Sequence, residues 1–305
     1  MNRKRNINRK DVYQTVTDQI IEAIENGAGE WQMPWHRAGS GLNRPLNIDT
    51  GNAYRGINII ALWASGQVRG YSSGTWGTYR QWQNKGCQVR KGEKASTVVF
   101  YKEFETDDQA SGSDETHPEK RFVARASSVF NADQVDGYEI SLPEPKDPVQ
   151  AVAEADTFVN NTLAVIRHGG GRAFYSTGTD AIQMPDKDRF IGSETSSSTE
   201  CYYSTLLHEL VHWTGAKRRC DRQFGKRFGD DAYAVEELVA ELGAAFLCAD
   251  LGITSEPRPD HAAYIDNWLQ VLKSDNRAIF AAASKAAQAT DFLSALQSRN
   301  TEAAA

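Results

Sequence analysis

Leu206-Leu207-His208-Glu209-Leu210-Val211-His212-Trp213-Thr214-Gly215 is the stretch whose reading decides the fold of the C-terminal half. It reads H-E-x-x-H within an apolar pattern of helical period. On a helix, residues four apart lie one turn above each other on the same face. His208 and His212 are therefore expected to hold one metal ion, with Glu209 beside them as the candidate general base. Leu206, Leu207, Leu210, Val211 and Trp213 supply buried sides, which puts the motif on a core helix. Gly215 reads as its stop signal.

A second carboxylate-bearing helix is expected about 25 residues later, at 232–251, the order a zincin requires. There Glu237-Leu238-Val239-Ala240-Glu241 sets two carboxylates four apart. Glu237 is assigned as the third metal ligand. Glu241 is assigned to receive the free ring N–H of a ligand histidine. The reverse assignment, or Glu236 as ligand, stays open. The competing reading is that these glutamates form a solvated face; their apolar neighbours Leu238, Leu242, Ala245 and Phe246 argue against it, because unpaired buried carboxylates are costly. Three protein ligands leave a fourth position open, which is a catalytic pattern. Zinc suits the ligand types, and manganese or cobalt are also able to occupy such a site. Tyr202, Tyr203 and Tyr233 are candidates to stabilise an oxyanion.

The chain has 305 residues, enough for two domains. Its net charge of -6 argues against a nucleic-acid binder until the distribution is considered. Residues up to Lys102 hold 15 Lys and Arg against 7 Asp and Glu, so the rest of the chain is strongly acidic. That split predicts two domains with different partners, 1–145 and 146–305. The basic start, Met1 to Asn6, is not followed by the apolar run of a secretory signal, and no stretch is long enough for a membrane span. Cys87, Cys201, Cys220 and Cys248 are scattered, which suits reduced thiols and a cytoplasmic location.

In the first half, a helix is expected from Val12 to about Asn26, and another over Tyr54–Trp63. Trp76–Trp82 reads as a short helix, broken at Gly86. Ser96–Tyr101 reads as a strand, paired with strand over 121–130. The acidic segment 105–119 reads as a flexible insertion. Pro143, Pro145 and Pro148 mark a linker. Beyond it a helix carrying Val149 to Leu163 is expected to break at Gly169-Gly170-Gly171. Short strands follow at 173–176 and 181–185, and two tail helices at 262–273 and 278–297. The fold class is thus α+β: a mixed α/β domain, then a mainly helical one.

Five of seven tryptophans lie in the first 100 residues, interleaved with cations. Aromatic faces with cations between them suit single-stranded nucleic acid, whose bases stack and whose phosphates pair with charge. The candidate DNA-binding residues are Trp35, Arg44, Tyr54, Arg55, Trp76, Tyr79, Arg80, Lys85, Arg90, Lys91 and Lys94. Trp35, Tyr54, Trp76 and Tyr79 are expected at the surface, because Gly, Pro or Arg flanks them. The alternative is ordinary: tryptophans in a core and solvated charges.

Several segments together resemble a known family. Tyr54-Arg55-Gly56-Ile57-Asn58, Trp76-Gly77-Thr78-Tyr79, Val89-Arg90-Lys91-Gly92-Glu93-Lys94, Val98-Val99-Phe100, Val129-Phe130-Asn131, His208 to Gly215 and Glu236 to Leu242 are similar, in order, to the ArdC-type antirestriction proteins of conjugative plasmids. The resemblance implies a single-stranded-DNA-binding domain joined to a zincin-like metallopeptidase domain. It also implies protection of incoming plasmid DNA from host restriction during conjugation, with a host restriction-related protein as a further candidate partner. Two alternatives stand beside it: a metalloprotease acting on a DNA-associated host protein, and a DNA-binding module with an inactive metal site. The resemblance leaves open whether peptide hydrolysis has any part in antirestriction.

Overall fold

The computed structural model describes residues 11–25, 43–105, 120–140, 148–192, 196–222, 231–253 and 269–303. Trp35, the linker prolines Pro143 and Pro145, and the expected insertion beyond Glu105 lie outside them. So does most of the expected helix 262–273, of which helical residues 269–274 are described.

Helix α1 (Val12–Glu25) buries Val16, Ile20 and Ile24, the apolar period of the sequence made physical. Strand β1 (Leu46–Asn47) leads through a turn to α2 (Ile57–Arg69). Gly56 admits that helix at φ 54°, a left-handed value that a side chain resists. The next segment departs from expectation. Trp76 and Gly77 belong to a strand, β2 (Thr75–Gly77), parallel to β1, and only then does α3 (Tyr79–Asn84) begin. Tertiary pairing overrides a weak local pattern here. A Cβ on Gly77 would lie 2.5 Å from an Ile48 methyl, so close packing with the β1 turn requires glycine. Thr78 and Gln81 form a capping box that starts α3.

Strand β3 (Gln88–Val89) pairs with β6 (Val135–Asp136) in a separate two-stranded sheet. The long antiparallel pair β4 (Ser96–Glu105) and β5 (Lys120–Asn131) is in the expected place, β5 being one continuous strand. With β1 and β2 it completes a sheet of order β1-β2-β5-β4.

Helix α4 (Pro148–Asn161) ends well before the triple glycine. Between them lies a strand missed in the sequence, β7 (Val165–His168). It is parallel to β9 (Ala181–Met184), which also pairs antiparallel with β8 (Phe174–Ser176). Three of the four residues of β7 are too exposed to show an alternating apolar pattern. Helices α5 (Ser198–Thr214), α6 (Asp231–Leu251) and α7 (Ala278–Ala303) complete the chain. No helix of the described residues is long and apolar enough to cross a membrane, and all four cysteines are unbridged.

One core runs through both halves. Ile20 and Ile24 of α1, and Ile60 and Trp63 of α2, are continuous with Leu210, Leu242, Phe246 and Ala283 of α5, α6 and α7. The rings of Trp63 and Phe246 are 5.9 Å apart, and Arg44 pairs with Asp250 at 2.7 Å across the same seam. A smaller core of Trp82, Cys87, Val89, Ala132 and Val135 sits under α3 and β3.

Candidate metal centre

Helix α5 starts at Ser197, whose side chain accepts from the Glu200 N–H while Glu200 accepts from the Ser197 N–H. This capping box fixes the helix register just where a polar loop meets it. His208, Glu209 and His212 follow, all buried. Helix α6 packs against α5 at Gly243, where an added Cβ would lie 2.8 Å from a Val211 methyl. A glycine there lets the two helices approach closely enough for glutamates of α6 to reach histidines of α5.

The result is a compact donor set. Nε2 of His208 and Nε2 of His212 are 3.1 Å apart. Glu237 spans them, its Oε2 3.5 Å from His208 Nε2 and its Oε1 3.5 Å from His212 Nε2. Ligands about 2.0–2.1 Å from a tetrahedral ion are separated by about 3.3 Å. The Nε2–Nε2 separation is close to that value, and one ligand atom of each of His208, His212 and Glu237 lies within 4.8 Å of the others, so they form a group of potential ligands for one divalent ion among the described residues.

Carboxylates also face the other ring nitrogens. Nδ1 of His208 lies 3.3 Å from Glu241, the residue expected to receive the free N–H of a ligand histidine. Nδ1 of His212 lies 3.3 Å from Glu236, whose part was not anticipated. Carboxylates on both Nδ1 atoms favour the tautomer that leaves both Nε2 lone pairs facing Glu237. Glu236 in turn receives Nε and Nη2 of Arg222 at 3.0 and 2.8 Å. Arg222 also donates to Thr214 Oγ1 at 2.7 Å and to the Val211 carbonyl at 2.6 Å. This buried arginine thus ties the end of α5 to the start of α6. The chain reaches it by turning back after α5: Cys220 N–H donates to the Thr214 carbonyl and Arg222 N–H to that of Gly215. Gly215 itself keeps a right-handed helical conformation, φ -70°, so α5 ends by this return and not by a left-handed glycine.

Charge is concentrated here. Burial by itself would lower the pKa of His212, but hydrogen bonds it donates to Glu236 and Glu237, with the charges of Glu237 and Glu209, push it up to about 10. Burial would likewise raise Glu236 and Glu237, yet the imidazoles, and Arg222 for Glu236, hold both below the usual carboxylate range. The cluster is therefore negative enough to attract a proton or a divalent cation. Two of the three tyrosines offered as oxyanion stabilisers, Tyr202 and Tyr203, are engaged elsewhere. Tyr202 is 2.8 Å from His168 Nε2, and Tyr203 donates to Asp156.

The DNA-binding candidates divide sharply. Trp76 and Tyr54 are buried, which corrects their placement at the surface. Trp76 packs edge-on to Tyr71, and the Tyr54 hydroxyl accepts from Asn47. Neighbouring Gly, Pro or Arg describe the local backbone and say nothing of which element covers the ring. Arg44 and Arg55 pair with Asp250 and Asp291 of the C-terminal half. Trp35 lies outside the described residues. Tyr79, Arg80, Lys85, Arg90, Lys91 and Lys94 are exposed. Tyr79, Arg90 and Lys91 line one open cavity of about 680 Å3 with Gln88, Val89, Glu93, Phe130 and Asp136.

Comparison with known proteins bears on both halves. A family model described as the N-terminal domain of anti-restriction factor ArdC matches residues 10–130, and one described as a zincin-like metallopeptidase matches 153–285. The metal-free crystal structure of the antirestriction protein ArdC from plasmid R388 is similar over 95% of this chain and 98% of its own, at 42% identity and a TM-score of 0.75. Its Mn(II)-bound form gives 41% identity and a TM-score of 0.73, over 94% and 98%. An uncharacterised protein of Sinorhizobium fredii, y4eC, is 48% identical over 94% of this chain and 93% of its own length. The DNA primase TraC of Escherichia coli is 37% identical over 96% of this chain, which spans 28% of that primase.

Proposed function

The chain belongs to the ArdC family of antirestriction proteins, an ArdC N-terminal domain preceding a zincin-like metallopeptidase domain, and on that premise we propose that it binds single-stranded DNA and protects incoming plasmid DNA from host restriction during conjugation. The division of labour follows the charge split, with residues 1–145 holding DNA and residues 146–305 holding metal. The observation that carries the DNA reading is the exposed face of α3 and β3, where Tyr79, Arg90 and Lys91 line one cavity and Arg80 and Lys85 of the same segment are also exposed. Aromatic rings take bases and the cations take phosphates. The test is binding of the full chain to single-stranded and duplex oligonucleotides at two salt concentrations. Preference for the single strand, weakening as salt rises, is expected. Absence of any salt-dependent affinity for single strands overturns this reading.

The metal centre supports a second activity alongside the first, peptide hydrolysis. His208, His212 and Glu237 would hold the ion. The donor set suits zinc, and the Mn(II) form of the R388 protein makes manganese the other candidate. Bound there, a divalent ion supplies Lewis-acid polarisation and acidifies water. Glu209, one residue after a ligand and buried beside the cluster, is the group placed to hold the proton released and pass it to a leaving amine. Glu241 and Glu236 orient the two imidazoles. For Glu209→Ala, full metal stoichiometry with no peptidase activity is expected. Cleavage by that variant at the wild-type rate removes the catalytic role.

A further inference from the structure

The cavity beside Tyr79 holds more than a set of cations. Tyr79 is 43% exposed, and its ring meets Phe130 edge to face at 6.5 Å with an interplanar angle of 70°. Two aromatic surfaces therefore meet in an L, one face open to solvent. The tyrosine is not free to swing, because its hydroxyl accepts from Gln88 Nε2 at 3.0 Å. Its helix is held from below: the Trp82 indole N–H donates to the Phe130 carbonyl at 3.1 Å, and Trp82 is fully buried in the smaller core. A preorganised ring is what a stacking ligand needs, since no side-chain ordering is left for binding to supply.

The polar groups say which part of a nucleotide enters. Arg90 sits in the cavity, but its guanidinium is already 3.1 Å from Glu93 and 3.6 Å from Asp136, and it also donates to the Asp133 carbonyl. Glu93 is held in turn by Gln134 at 2.9 Å. The interior is thus close to charge balance, with two carboxylates that repel a phosphate. Lys91, on the turn after β3, lines the cavity as well and is exposed, while Arg80 and Lys85, on and just after α3, are exposed outside its lining. A neutral, flat group fits the middle and anions fit the edge.

We propose that the corner formed by Tyr79 and Phe130 is a nucleobase subsite, in which one unpaired base stacks on Tyr79 while a flanking phosphate meets Lys91. The proposal rests on the DNA-binding reading above and adds where, and through which chemical group, a strand is held. Asp136 and Glu93 favour a base that presents amino or imino donors on its Watson–Crick edge, since a carboxylate only accepts. Paired bases in a duplex cannot enter, because their faces are already stacked.

The experiment measures affinity of the full-length protein for a short single-stranded oligonucleotide across a salt series, using Tyr79→Ala, Tyr79→Phe, Lys91→Ala and Phe174→Ala. Phe174 is an exposed aromatic of the C-terminal half and serves as the control. Tyr79→Ala is expected to weaken binding on the order of 5- to 150-fold with an unchanged salt slope, the size of one lost stacked base. Tyr79→Phe keeps the ring and is expected near wild type. Lys91→Ala is expected to reduce the slope by about 0.7, one phosphate contact. Thermal melting of Tyr79→Ala checks that the fold is intact. An oligonucleotide carrying abasic sites is expected to bind wild type weakly and to be indifferent to Tyr79→Ala. That arm compares ligands on the intact protein, so it decides the matter even where the variant is destabilised.

If wild type binds the oligonucleotide but abasic and intact strands bind equally, the subsite is wrong and DNA binding stands. A Tyr79→Ala variant that is folded and binds normally, or that loses salt slope in place of affinity, also overturns it. If wild type binds no single strand, both readings fall together.

Discussion

The two candidate sites contrast in almost every physical respect. At the metal centre, His208, Glu209, His212, Glu236 and Glu241 are buried and Glu237 nearly so, each carboxylate that flanks an imidazole having a defined partner. On the α3–β3 face the working groups stand in solvent, Tyr79 and Arg90 being fixed by neighbours among the described residues. The first arrangement suits an ion, which demands ligands within a few tenths of an ångström and a negative environment. The second suits a flexible polyanion, which is held by many weak contacts screened by salt. Damage should therefore be abrupt at the first site and graded at the second.

The most severe test removes Arg222. Arg222→Met leaves the Glu236 carboxylate buried beside His212 without its cation, and a loss of about 3–5 kcal/mol in urea unfolding is expected. Combining it with Glu236→Gln should restore much of that loss. If the single variant is as stable as wild type, the network tying α5 to α6 is not what holds the centre together.

A smaller effect is expected at the helix contact. Gly243→Ala forces a methyl against Val211, and overpacking of this kind costs about 1–3 kcal/mol. Metal titration should then show weaker binding, because the α6 glutamates are displaced from the histidines. Unchanged metal affinity would mean that α5 and α6 can shift without moving the donor set.

Next comes Glu241→Gln, which weakens the partner of His208 Nδ1 but keeps its volume. Metal affinity by calorimetry is expected to fall about 10- to 100-fold with little change in apo-protein melting. An unaltered affinity would reduce Glu241 to a packing role. The mildest change is Lys85→Ala on the DNA face, with a salt-slope reduction of about 0.7 and the metal centre untouched. A change in metal content there would show that the two regions are coupled through their shared core.

Legibility followed the same contrast. The metal residues were readable because helical spacing converts sequence separation directly into distance. Four residues apart puts His208 and His212 on one face, and the same rule brought Glu237 and Glu241 together. Arg222 was not readable: it lies on an irregular return after α5, where no period relates it to Glu236. Glu236 was weighed only as an alternative ligand, since adjacent glutamates on a helix cannot be assigned to a ring nitrogen until the neighbouring helix is in place. The β4–β5 hairpin was visible from β-branched and aromatic residues, whereas β2 and β7 were not, being three and four residues long with glycine or exposed positions. Trp76 and Tyr54 show the limit most clearly. Their flanking residues suggested exposure, and the rings still point inward because another part of the chain covers them.

By itself, then, the sequence determined the family, the helix bearing His208, Glu209 and His212, and the carboxylate helix after it, since all of these depend on local periodicity and residue chemistry. Tertiary structure alone decided that Glu237 faces both Nε2 atoms, that Glu236 with Arg222 holds His212, and that Tyr79, and not Trp76, is the exposed ring. Those outcomes depend on which helices touch and at what distance, and the close approach at Gly243 and the single core joining both halves set that distance.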